Sequence, residues 1–420
     1  MDLAWVGRIS KEALSGVTLF TVIFAMFGVL NEVAGTSSVS LISQSYGRGD
    51  TERTRKISEQ TISFKVVLAV ITGVLLYIFL PPLLDLYTKD PLVKEAAMTY
   101  GIPRIFVLPI AFSSFSVNTI FRCTGDSKSP MKFLIVSSIL NLILDPIFMF
   151  DKVPLLGIPG FGWGVFGAAL ATNISQTVSF LYGFILLLMG KGGRHISIRG
   201  LFSLNKEIDL DLLRIGLPAG FQNFVNMAFN NVFMLFIASY GTTAITVAGI
   251  SSKFVQFGFT PVFGFHMAGS SLVGQALGRD DETEAMHLTK IAQVMIVVVI
   301  TALVLPLLIF PSLFLRIFTD DPTVLSAGYP MVRWLALSMI ITSFTFGYQI
   351  AFSGAGYNRP ILYAILLSRW AVQLPLAYLL VQILQVPLAW IWVCYAVREL
   401  ANWGVIYFFY RKGDWKKNRV

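Results

Sequence analysis

One acidic side chain stands inside an apolar stretch. Asp145 lies in Ser138-Ile139-Leu140-Asn141-Leu142-Ile143-Leu144-Asp145-Pro146-Ile147-Phe148, with little but aliphatic and aromatic residues around it. An ionisable group within a membrane span is costly and marks an ion path by default. Asn141 precedes it by one helical turn, on the same face. Pro146 has no N–H and crowds the preceding turn, which frees a carbonyl oxygen there. A carboxylate, an amide oxygen and a freed carbonyl are hard oxygen ligands suited to Na⁺. Alternatively, the buried carboxyl carries a proton. The plainer reading is a carboxyl near the outer end of its span, solvated beside Asp151 and Lys152.

A second polar group lies further along. Gln222-Asn223-Phe224-Val225-Asn226-Met227-Ala228-Phe229-Asn230-Asn231 is unusually polar for a lipid-embedded helix. Asn223, Asn226 and Asn230 share one face at helical spacing and could line a cavity for an organic molecule. They could equally hydrogen-bond a neighbouring helix. Arg369 and Gln373 are one turn apart in another apolar run and could face the same cleft. Lys253, His266 and Glu32 are isolated in such runs. Lys65 and Arg398 are expected to snorkel or to pair locally, Arg398 with Glu399.

The elements that must position these residues are membrane spans. The 420 residues are 55% hydrophobic and only 13% charged, against about 25% charged in soluble domains. Apolar runs fall at 14–42, 57–84, 99–121, 131–150, 165–190, 213–238, 244–272, 288–315, 331–352, 361–384 and 388–410, after a short segment at 2–9. Each is long enough to cross about 30 Å of hydrocarbon, and lipid admits such segments only as helices. The net charge of +9 does not indicate nucleic-acid binding, because the basic residues sit in short loops between the runs. Cys123 and Cys394 are far apart and form no metal or redox motif. There is no P-loop for direct ATP coupling, and no signal peptide with a cleavage site.

The chain repeats itself. Ser40-Leu41 with Gln44, Gly47, Arg48 and Asp50 recurs as Ser271-Leu272 with Gln275, Gly278, Arg279 and Asp281, a constant offset of 231 positions. Thr88, Pro91, Gly125 and Ala13 recur at the same offset as Thr319, Pro322, Gly356 and Ala244. Chance matches would not hold register over so long a stretch. Two bundles of six helices are therefore expected, at 1–195 and 213–420, joined by a linker at 196–212. With the loops at 43–56, 122–132, 191–214, 279–290 and 353–360 and the C-terminal tail on one side, that side holds 20 of the 32 Lys and Arg residues. The excess predicts a cytoplasmic tail in a multi-pass inner or plasma membrane protein.

Several of these segments resemble the multidrug and toxic compound extrusion (MATE) family. They are Asp2-Leu3-Ala4-Trp5-Val6-Gly7-Arg8 followed by Glu12-Ala13-Leu14, Gln44 with Gly47, and Arg122 with Gly125 and Asp126. Asn141 through Pro146 and Gly167-Ala168-Ala169-Leu170-Ala171-Thr172 complete the set. The resemblance covers essentially the whole chain and is nearest to the family's DinF-like branch. It implies twelve helices in two bundles around a central cleft, and exchange of Na⁺ or H⁺ for organic, often cationic, amphipathic compounds by alternating access. In that branch a first-helix aspartate surrounds one cation site together with an asparagine, an aspartate and a threonine on the fifth and sixth helices. Asp2, Asn141, Asp145 and Thr172 match those types. Other members carry an acidic residue on the seventh or tenth helix; none stands in 213–238 or 331–352.

The resemblance thus implies a monomeric secondary exporter with no cofactor other than its coupling ion, and no enzymatic activity. Two rivals remain at this level. A lipid-linked oligosaccharide or lipid flippase would call for fourteen helices, two more than the repeat allows. A membrane prenyltransferase would need paired aspartate motifs for Mg²⁺ and pyrophosphate, and Asp145 has no such neighbour. One further expectation follows from the repeat. Asp2 pairs with Phe233, before which the second half has about 20 apolar residues from Leu213, whereas the first half has only Met1. The first span is expected to begin upstream of Met1, the alternative being a short, degenerate first span.

Overall fold

The computed structural model describes residues 2–154, 157–190, 195–203 and 205–420. All eleven apolar runs are helical, and the described residues contain no β-strand. In chain order the helices are α1 (Asp2–Val6), α2 (Lys11–Phe27), α3 (Val29–Gly47), α4 (Thr51–Tyr87), α5 (Pro91–Phe106), α6 (Leu108–Cys123), α7 (Lys128–Met149), α8 (Gly164–Leu188), α9 (Ile198–Leu201), α10 (Lys206–Ala238), α11 (Thr242–Gly278), α12 (Glu282–Ile309), α13 (Ser312–Leu315), α14 (Pro322–Ala355), α15 (Arg359–Ile365), α16 (Leu374–Tyr378), α17 (Leu388–Ile391) and α18 (Val393–Lys412). π-helical turns at Leu366–Gln373 and Leu379–Ile383 run into and out of α16. The protein is an all-α, multi-pass membrane protein.

Six helices among the described residues are long and apolar enough to cross a membrane by themselves, and two bent pairs qualify jointly. The pairs are α2 with α3, bent by 49°, and α5 with α6, bent by 55°. The second bend has a local cause. Pro103 and Pro109 flank Val107, and each proline deletes a helical donor. α10, α11 and α18 are full-length helices that fall short of the same apolar mark. Asn and Gln dilute the first, Gly, Ser and Thr the second, and charged side chains the third.

The chain forms two compact units, residues 1–38 with 50–216, and residues 39–49 with 217–420. One segment, Val39–Gly49, therefore belongs with the second half of the sequence. In the first unit, Val17, Phe20 and Ile23 of α2 pack with Leu76 and Leu80 of α4 and with Ala97 and Tyr100 of α5. Gly16 allows α2 to approach α5 closely, since a Cβ there would lie 2.6 Å from the Val93 carbonyl oxygen. Small residues also join α8 to its neighbours: a Cβ at Gly183 would meet Val117 at 2.6 Å and Phe133 at 2.9 Å.

In the second unit, the ends of α3 and α11 meet reciprocally. A Cβ on Gly47 would strike the Gln275 carbonyl, and one on Gly278 would strike that of Gln44. These are residues that the repeat pairs with each other. The tail folds back on the same region: Trp415 is buried, Asn418 Nδ2 donates to Ala355 O at 2.6 Å and the Val420 amide to Gln44 Oε1 at 3.0 Å.

The repeat also appears as identical helix caps. Asp50 accepts from the Arg53 amide and Asp281 from the Glu284 amide, both at 2.8 Å. Asp90 accepts from Leu92 N at 2.9 Å and Asp321 from Thr323 N at 2.8 Å. A left-handed glycine follows each of α6 and α14, Gly125 after the Thr124 cap and Gly356 as the cap itself, at φ of 85° and 71°, and the next amide bonds back over the glycine in each case, Asp126 N to Phe121 O and Tyr357 N to Phe352 O, both at 2.9 Å.

Candidate functional site

The four residues singled out for cation coupling converge in the first unit. Asp145 belongs to the last turns of α7, where the close packing of α8 turns it away from lipid, and its relative exposure is 0%. Asn141, one turn earlier, donates from Nδ2 to Asp145 Oδ1 at 3.0 Å, to Thr172 Oγ1 of α8 at 3.1 Å and to Asp2 Oδ1 of α1 at 3.4 Å. Thr172 Oγ1 donates in turn to Asp2 Oδ2 at 2.6 Å. One amide therefore bridges two carboxylates, and a hydroxyl closes the ring. Three helices far apart in sequence supply the set, and Asp145 is not the solvated end-of-span carboxyl of the plainer reading.

A fifth member escaped the sequence. Tyr100 of α5 donates its hydroxyl to Asp2 Oδ2 at 2.6 Å. Nothing marks this tyrosine among the aromatic residues of the chain, and 98 residues separate it from its partner. Arg104, one turn further along α5, bonds Asn173 Oδ1 at 3.4 Å and Gln176 Oε1 at 3.3 Å. Those bonds commit it to α8 amides. Asp145 Oδ2 is buried with no hydrogen-bond partner among the described residues. Such an oxygen in an apolar bundle is costly unless a cation or a proton meets it. Among the described residues, the hydrogen-bond donors orient the two carboxylates but add no positive charge.

The tentative cavity residues divide. In the second unit, Arg369 donates to Asn230 Oδ1 at 3.3 Å, as one shared polar surface requires. Gln373 is wholly buried, and neither its Oε1 nor its Nε2 has a partner among the described residues. Asn226 also has a buried, unpartnered Oδ1, while Asn223 is half-buried on the same helix. The π-helical turn at Leu366–Gln373 displaces Gln373 from the simple one-turn relation to Arg369 expected for an α-helix; the Leu374 amide reaches back to Arg369 O. Arg398 pairs with Glu399 as expected. Lys65 does not snorkel. It is 0% exposed, with its ammonium 4.1 Å from the centre of the Phe115 ring and no hydrogen-bond partner among the described residues. It lies 14 residues into α4, too deep for its stem to reach the helix end.

Comparison with known proteins agrees with this architecture. The chain is 25% identical to the probable multidrug resistance protein YoeA of Bacillus subtilis, over 99% of this chain and 89% of that one. It is also 25% identical to the probable multidrug resistance protein NorM of Thermotoga maritima, over 100% of this chain and 89% of that one. A MOP superfamily transporter from Pyrococcus furiosus has the same fold, with a TM-score of 0.84 at 23% identity, over 99% of this chain and 91% of that one. The sequence model of the MatE family matches residues 1–147 and 218–379, and the chain belongs to that family.

Proposed function

We propose that this protein is a secondary active exporter that exchanges a monovalent cation, Na⁺ or H⁺, for an organic compound, with Asp2, Asn141, Asp145 and Thr172 as the coupling site. One observation carries the reading: two carboxylates from α1 and α7 share one amide, and one buried oxygen is left without a partner. A cation or proton at that oxygen removes the cost of an isolated charge. Its occupancy is thereby linked to the packing of α1, α7 and α8, because the same side chains tie those helices together. Two conformations that differ in that packing would bind the cation with different affinities, which is what exchange requires. The relatives named multidrug resistance proteins support an exporter over a membrane enzyme. The loop charges support a cytoplasmic tail, and a reporter fused after Val420 should read cytoplasmic.

The test is substrate movement in proteoliposomes under separately imposed Na⁺ and pH gradients. One of the two gradients should drive it in the wild type, and neither should in Asp145→Asn. Transport that needs no cation gradient, or that proceeds in D145N at the wild-type rate, overturns the reading.

A further inference from the structure

Lys65 of α4 has no task in the coupling site of its unit. Its ammonium faces the Phe115 ring of α6, and a Cβ on Gly35 of α3 would lie 3.6 Å from it and 3.2 Å from that ring. Glu32 precedes Gly35 by about one turn, on the face of α3 that Lys65 meets. Glu32 is half-buried and forms neither an ion pair nor a hydrogen bond among the described residues. A cation and an anion thus stand on facing helices without pairing.

The neighbourhood is short of partners in a matched way. The ammonium offers three donors and meets no acceptor among the described residues. Asn31 Oδ1, beside Glu32, and Asn118 Oδ1, about one turn past Phe115 on α6, are buried acceptors that meet no donor there. Glu32 and Arg122 are the charged groups whose fields reach Lys65. Arg122 donates to Thr119 Oγ1 at 3.1 Å and brings a second positive charge rather than an anion. An unpaired ammonium among apolar helices is costly, and the Phe115 ring offsets only part of that cost. No ligand is needed to remove the rest, because the missing carboxylate is already on α3. α3 meets α2 at a bend of 49° after Gly28, four residues before Glu32. Such a bend is where a helix pair changes shape.

We infer that Glu32 and Lys65 are a gate pair, apart in this conformation and ion-paired in a second one, in which the first turns of α3 have moved about the bend at Gly28. The unpaired charge disfavours the conformation described here, and the ion pair favours the other, so the pair sets the balance between them. The pairing is a property of the fold, and only its place in a transport cycle rests on the exporter reading.

A double-mutant cycle on the purified full-length protein tests the pairing. Glu32→Gln strands the Lys65 charge in both conformations, so it should lower the thermal midpoint by about 3 °C or more. In a Lys65→Met background the same change should cost nothing, because no charge is left to strand. Substrate movement in proteoliposomes under the imposed gradients tests the gate. E32Q and the E32Q/K65M double variant should be slower than the wild type by about tenfold or more. Glu32→Asp, which keeps the carboxylate, should stay within about threefold. An equal loss of midpoint from E32Q in both backgrounds, or no loss in either, overturns the inference, as does wild-type transport by E32Q. If the wild type itself moves no substrate under either gradient, the exporter reading falls, and the thermal cycle alone still decides whether the two side chains pair.

Discussion

The two units carry repeat-related helices, yet the polar clusters inside them differ. The first gathers Asp2 and Asp145 about one amide. At the offset of 231, the positions of Asp2, Tyr100, Asn141 and Asp145 are taken by Phe233, Met331, Val372 and Leu376. The second unit has its arginines at 369 and 398 instead, and Arg369 corresponds to Ser138. What duplication preserved is the scaffold: the aspartate caps, the left-handed glycines and the glycine contacts between α3 and α11. What diverged is the polar interior. The proposed exchange would use that asymmetry, since a cation and an organic solute of different chemistry must be bound by one molecule.

The sharpest way to break this contrast is D145N. The amide is nearly isosteric and removes the charge, so the protein should insert and fold. Its gradient-driven transport should fall by about 100-fold or more, because the neutral site no longer distinguishes a bound cation from none. A normal rate at matched expression would erase the difference between the units. The next test moves the carboxylate to the repeat-related position. D145N combined with Leu376→Asp should not recover transport, since the repeat-related positions of Asp2, Tyr100 and Asn141 are held by Phe233, Met331 and Val372. It should also lose thermal stability relative to D145N, as an unpaired carboxylate is placed among apolar helices. Recovery would mean that the scaffold alone makes the site.

Tyr100→Phe should act more gently. It removes one hydrogen bond that stabilises the Asp2 carboxylate, a contribution of about 1.5–3 kcal/mol, so the apparent proton or cation affinity should tighten by about tenfold or more. An unchanged cation dependence would place Tyr100 outside the site.

These residues were not equally legible in the sequence. Asp145 and Asn141 announced themselves, because an acid and an amide one turn apart in an apolar run have no cheap alternative explanation. Asp2 and Thr172 came from resemblance alone, since an acid at a chain end and a threonine in a helix each have ordinary uses. Tyr100 carried no signal, because its role depends on the packing of α5 on α2, which no local pattern encodes. Depth misled the reading of Lys65: periodicity does not say how far a side chain lies from a helix end. The π-helical turns beside Gln373 were equally hidden, although Pro375, which cannot supply an α-helical donor, stands next to them. The grouping of Val39–Gly49 with the second unit follows from glycine contacts more than 200 residues distant in sequence.

The smallest effects concern what the units share. Asp90→Asn and Asp321→Asn should each lower the thermal midpoint by about 1–2 °C, Asp321→Asn by the larger amount because the Thr323 hydroxyl also donates to Asp321. The hydroxyl and amide of Thr323 hold the Asp321 carboxyl below its ordinary range. The Asp321 contribution is therefore present above the unfolded carboxylate value and is lost as pH falls through the lower, folded one. The gap between D321N and its parent should close in acid. A loss confined to one of the two variants at neutral pH would mean that the duplicated caps no longer do the same work.

The most direct test of the central claim reverses the direction of drive. A substrate gradient is imposed across proteoliposomes whose lumen reports Na⁺ and pH with two dyes. Wild-type protein should move one of the two cations against the substrate, and D145N should move neither while still binding substrate. A cation flux in D145N equal to that of the wild type would contradict the assignment of the coupling site to the first unit.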